Sequence, residues 1–130
     1  MPMGHVFVEA ELGDVRKRAI KKLKLLADTG ASFMVIPPTV AQEIGIESVT
    51  KIDITLADNR KGTADLGFAY VKISGREAIV QALIMDSPEP LLGTFTMQIL
   101  GLTVDPVREE VKPTRSFAVG LLWSRLNSLC

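Results

Sequence analysis

Apolar and polar positions alternate from the start of the chain. Val6, Val8, Ala10 and Leu12 interleave with Glu9 and Glu11, the two-residue period of a half-buried strand. Gly13-Asp14 predicts a hairpin turn into a second strand over residues 15–27. After Asp28-Thr29-Gly30, "FMVIP" reads as a short buried strand ended by Pro37-Pro38. "PTVAQEIGI" then predicts a helix with Val40, Ala41 and Ile44 on one face and Gly45 as its stop. Val49, Ile52, Ile54 and Leu56 lead into a polar turn over residues 58–62. A second alternating run with Phe68, Tyr70 and Val71 follows, and Ser74-Gly75-Arg76 turns the chain into "AIVQALIM". "SPEP" marks a loop. "LLGTFTMQILGLTVD" predicts two apolar residues, Gly93, a helical turn to Leu100, Gly101 and a last strand to Asp105. The order strand, glycine turn, apolar residues, short helix, glycine, strand therefore occurs twice, over residues 30–46 and 91–104. The expected class is all-β with one or two short helices.

Composition narrows this picture. The 130 residues suffice for one domain, and 47% hydrophobic with only 5% aromatic residues fits a β-rich core of branched aliphatics. Zero formal net charge gives no global electrostatic case for nucleic acid or an anionic membrane. No apolar run reaches the ~18 residues of a membrane span, and the N-terminus lacks a secretory pattern, so a soluble cytoplasmic protein is expected. One cysteine, Cys130, and one histidine, His5, argue against a disulfide, a cysteine–histidine site or a zinc cluster. No cofactor or metal is expected. "RKRAIKKLK" is basic, but no aromatics interleave for base stacking, and such residues commonly guard an exposed strand against edge pairing.

Candidate chemistry begins at Asp28, a carboxylate at the end of an apolar strand followed by a turn. By itself Asp-Thr-Gly suits an Asx-type turn or a helix cap. A haloacid-type phosphatase would need a second acid at position 30, which is Gly30. Asp58 and Asp65 read as solvated hairpin residues, and His5 as a surface residue.

Together, "LLADTGAS", the following "VIP" strand, the central hairpin and "LLGTFTMQILGLTVD" resemble the retropepsin-like aspartic proteases, the single-lobed branch of the pepsin superfamily. The resemblance covers about residues 5–105 and implies a retropepsin-like half-barrel. It implies that Asp28 is the catalytic aspartate, in a loop supported by Thr29, Gly30, Ala31 and Ser32. Leu91, Leu92 and Gly93 correspond to the second strand of a ψ-shaped crossing. The hairpin over residues 56–64 corresponds to the flap over the cleft, with Leu56, Ala57, Asp58 and Asn59 near substrate. Hydrolysis by carboxylates needs a base and an acid, and this chain has one Asp-Thr-Gly. The resemblance therefore implies a homodimer that places Asp28 of each copy at the axis, acting on an extended peptide.

Three positions depart from the family pattern. Ser32 and Thr94 stand where viral members often carry an Asp and an Arg, so both members of that ion pair are missing together. Ala31 replaces the serine that donates to the carboxylate in pepsin-type enzymes, which points to activity nearer mildly acidic pH. Residues 1–105 form the expected protease domain and residues 106–130 a C-terminal extension. In that extension "FAVGLLW" reads as a strand, with Trp123 as an anchor, that joins the dimer interface, packs over the domain or binds another protein. The alternative function is a non-catalytic dimeric peptide-binding module of the same fold.

Overall fold

The alternation of the first strand is realised as one arm of a hairpin. In the computed structural model, which describes residues 5–56 and 58–114, β1 (Phe7–Gly13) turns Ala10 and Leu12 inward and pairs antiparallel with β2 (Ile20–Ala27). The second strand thus starts at Ile20, not at Val15. Residues 14–19 form a loop around the buried Asp14 carboxylate, which accepts from Ala19 N–H at 3.0 Å and Arg18 Nε at 3.1 Å. The Ala19 N–H is the main reason this carboxyl is held down to about 2. A side chain that supplies the acceptor for a backbone donor offers the chain an alternative to strand pairing. Arg16, Lys17 and Arg18 consequently top an exposed loop, and only Lys21, Lys22 and Lys24 of the basic run lie on the strand.

The remaining elements follow the sequence closely. β3 (Met34–Ile36) leads into α1 (Pro38–Ile44), which is capped by Gly45 at φ 93°. β4 (Thr50–Thr55) and β5 (Lys61–Ile73) form the central hairpin, and β6 (Arg76–Ile84) follows. Ser74 and Gly75, at φ 53° and 77°, give the tight two-residue turn that suits the twist of a hairpin. β7 (Leu91–Leu92), α2 (Thr94–Leu100) and β8 (Leu102–Asp105) come next, with Gly101 at φ 66° ending α2. The two glycine-stopped helices confirm the internal echo. After Asp105, where the sequence reading placed the start of a C-terminal extension, a short turn leads into β9 (Glu110–Pro113), paired antiparallel with β8. The expected strand at residues 117–123, its anchor Trp123, and Cys130 lie outside the described residues, as does Ala57.

The main sheet runs β1-β2-β7-β3-β6-β5-β4, and a further pairing of Glu11–Gly13 with Tyr70–Lys72 joins β1 to β5. Six strands therefore close a ring, and β4 hangs outside it on β5. The ring interior holds Leu12, Leu25, Met34, Ile36, Val71, Leu92 and Leu100, all at or near zero exposure. Each large side chain of this kind contributes about 2 kcal/mol by leaving water. Two polar ties brace the outside. Arg76 Nη1 donates to the Leu100 and Gly101 carbonyls at 2.9 and 3.0 Å, which satisfies the C-terminal end of α2. Tyr70 donates its hydroxyl to Glu77 at 2.7 Å, while Lys17 pairs with Glu77 and sits 4.6 Å from the Tyr70 ring centre. That tie fastens the Asp14 loop to the β5–β6 hairpin.

Candidate active site

β7 is only two residues long, yet it organises the site. It runs parallel to β2, with Leu26 opposite Leu91 and Ala27 opposite Leu92, and antiparallel to β3, with Val35 opposite Leu91. β2 and β3 are consecutive in sequence but are separated in the sheet by this late strand. The loop joining them, residues 28–33, must therefore cross over the end of β7. This is the ψ-shaped crossing that the family resemblance implied.

Backbone hydrogen bonds lock the crossing. Asp28 N–H donates to the Leu92 carbonyl at 3.0 Å, and Thr94 and Phe95 N–H donate to the Ala31 and Ser32 carbonyls at 2.8 and 3.0 Å. Within the loop, Ala31 N–H donates to the Asp28 carbonyl at 3.1 Å and Gly30 N–H to Asp28 Oδ1 at 2.9 Å. The Asx-type turn and the candidate site are thus one structure, since the bond that closes the turn also aims the carboxylate. Asp28 is half-buried and Thr29 and Gly30 are exposed, so the carboxylate stands at the surface on a rigid base. Gly93 permits the close approach. A Cβ there would lie 2.4 Å from the Phe33 carbonyl oxygen and 2.6 Å from that of Ser32.

The structure joins Asp28, Ala31 and Ser32 by backbone hydrogen bonds to Leu92, Thr94 and Phe95. Leu56, Asp58 and Asn59 occupy a separate turn at the tip of the β4–β5 hairpin. There Leu56 N–H donates to the Arg60 carbonyl at 2.8 Å and Asn59 N–H to the Leu56 carbonyl at 2.9 Å. Asp58 accepts from Arg60 N–H at 3.2 Å and from its Nε at 2.5 Å. Asn59, not a glycine, takes the left-handed conformation at φ 65°, and Lys61 and Gly62 already belong to β5. The turn therefore closes over residues 56–60, earlier than the expected 58–62. Asn tolerates this conformation, which composition alone does not reveal.

The hairpin is rooted beside the crossing by a second apolar cluster. Ile52, Ile54, Ala64 and Leu66 of the hairpin pack with Phe33, Val35 and Leu91 of the crossing strands. Phe33 also meets Phe95 edge to face, with ring centres 5.6 Å apart at 89°. This pair was not foreseen. Its signal was present in the echo, because each aromatic stands two or three residues after a glycine, in "GASF" and in "GTF".

Residues 8–104 match a family model described as aspartyl protease. No curated protein matches the chain. The solution structure of simian foamy virus (mac) protease has a similar fold, with a TM-score of 0.53 and 21% identity over 70% of this chain and 90% of that one.

Proposed function

Because this chain belongs to the aspartyl protease family, we propose that it is an endopeptidase that works as a homodimer, with Asp28 of each copy facing the other across a two-fold axis. The observation that carries this reading is the crossing itself: a surface carboxylate is aimed by Gly30 N–H and anchored through Leu92. A protease of this chemistry needs one carboxylate to take a proton from water and one carboxylic acid to donate to the scissile carbonyl. The described chain brings one such carboxyl to the crossing, and a second copy related by a two-fold axis supplies the other.

In this dimer the ionised Asp28 takes a proton from water as the water oxygen bonds to the carbonyl carbon. The protonated Asp28 of the other copy gives its proton to the carbonyl oxygen. Collapse of the tetrahedral intermediate returns that hydroxyl proton to the dyad, and a dyad proton passes to the departing amide nitrogen. One water is consumed and one peptide bond is broken, with the dyad restored. Thr29, Gly30, Ala31 and Ser32 hold the carboxylate, and Leu91, Leu92 and Gly93 hold the loop. Substrate lies extended between the crossing and the β4–β5 hairpin, which contributes Leu56, Ala57, Asp58 and Asn59 as a flap.

Cleavage of a denatured protein across mildly acidic pH tests the reading, with Asp28→Asn beside the native chain. Asn keeps an oxygen for Gly30 N–H but cannot act as base, so activity should fall by about 1,000-fold or more while the fold survives. Cleavage undiminished in Asp28→Asn would remove this carboxylate from the mechanism. Peptide binding without cleavage by the native chain would leave a dimeric binding module.

A further inference from the structure

We propose that the apolar groove between α2 and the outer face of β5 and β6 is the docking site for residues 117–126 of the same chain. The groove encloses about 340 Å³ and is walled chiefly by Phe33, Phe68, Ile79, Phe95 and Ile99, with no charged residue among the described residues lining it. Phe68, Ile79 and Phe95 are 40%, 47% and 49% exposed, so three large apolar side chains meet water around one depression. Contiguous apolar surface of this kind marks a place where something binds.

Where the described chain stops indicates the occupant. Thr114 donates both its N–H, at 2.6 Å, and its hydroxyl, at 2.8 Å, to the carbonyl of Gly101. Gly101 caps α2, the helix whose Phe95 and Ile99 form one wall of the groove. The chain is therefore handed on at one end of that wall. The segment that follows carries Phe117, Val119, Leu121, Leu122, Trp123 and Leu126, with Arg115 and Arg125 as its only charges before residue 130. Val119, Leu122, Trp123 and Leu126 recur at the spacing of a single apolar stripe, the pattern that suits docking into a groove. Reach is not limiting. Seven residues of α2 span about 10 Å, and ten residues span about 15 Å even when helical.

Trp123 is the only tryptophan, so fluorescence reads the surroundings of this segment alone. In the full chain its emission should lie to the blue of that in the urea-unfolded chain and should not change over a tenfold range of protein concentration. Ile79→Glu, on the exposed side of β6, should shift the emission to longer wavelength with unchanged far-UV circular dichroism. A nitroxide on Cys130, the only cysteine, gives a second reading on the native sequence. It should broaden the amide signals of Gln81, Gln98 and Ile99 in its own chain, but not those of an isotope-labelled chain mixed with a nitroxide-bearing one. Three results would each overturn the proposal: native emission equal to that of the unfolded chain, emission indifferent to a folded Ile79→Glu, or broadening that is absent or arises only between chains. The last of these would assign the groove to a second copy.

Discussion

Gly93 lies against Phe33 so closely that a methyl group on its α-carbon would stand 2.4 Å from the Phe33 carbonyl oxygen. Two backbone segments about sixty residues apart in sequence are thereby pressed together where the β2–β3 loop crosses β7. The bonds from Thr94 and Phe95 to Ala31 and Ser32 depend on that approach.

Gly93→Ala should therefore destabilise the domain by about 3 kcal/mol, because the obstacle is backbone and cannot rotate away. Gly62→Ala is the matching control, since no described residue lies within 4 Å of its added methyl. That change should be neutral or stabilise by about 0.5 kcal/mol through the unfolded chain. Urea unfolding of both variants measures the difference, and equal midpoints would contradict the packing argument.

The proposed shared active site would make Asp28→Asn dominant over the native chain. After subunit exchange in an equal mixture, only about a quarter of dimers carry two native copies. Activity per native chain should fall to about half of its unmixed value. An active monomer would keep full activity per native chain, so a simple mixing assay decides the matter.

Tyr70 should titrate unusually late. Its hydrogen bond to Glu77, with burial, pushes it up from 10.0 to about 12. The folded protein favours the neutral phenol, so this stabilisation is complete below pH 10 and is lost as pH rises through about 12. Tyr70 is the only tyrosine, so ultraviolet titration of tyrosinate reads it alone. Glu77→Gln should bring the transition back toward 10.

Asp14 acts at the opposite end of the pH scale. Ala19 N–H holds its carboxyl below the usual 3.8, at about 2. A depressed value stabilises the fold above pH 3.8, and that contribution is lost as pH falls toward 2. Asp14→Asn should flatten the acid limb of stability between those values, as followed by thermal melts at successive pH.

Arg76→Met keeps much of the aliphatic bulk but leaves the Leu100 and Gly101 carbonyls without this donor. A loss of about 2 kcal/mol is expected from charged hydrogen bonds at a helix end. Because α2 begins directly after Gly93, proteolytic activity should fall with it, and a Lys at this position should restore only part of both.

Much of this was legible because it is local. Ser74-Gly75, Gly45 and Gly101 announce backbone turns wherever they occur, and Pro38 opens α1 for the same reason. The crossing was legible only through resemblance, since nothing in "LLADTGAS" or "LLG" alone says that two such segments meet. The Asp14 loop escaped the alternation because a buried carboxylate replaced strand pairing with bonds to its own backbone. β9 escaped because its partner β8 was needed to show that "EVKP" is a strand.

By itself the sequence determined most of the strands and both short helices, and that a carboxylate on a turn follows a buried strand, because period and turn chemistry act over a few neighbouring residues. Only the tertiary structure decided that β7 separates β2 from β3, that β1 closes on β5, and that Phe33 pairs with Phe95. Those relationships depend on which distant surfaces exclude water together and on how closely two backbones can approach.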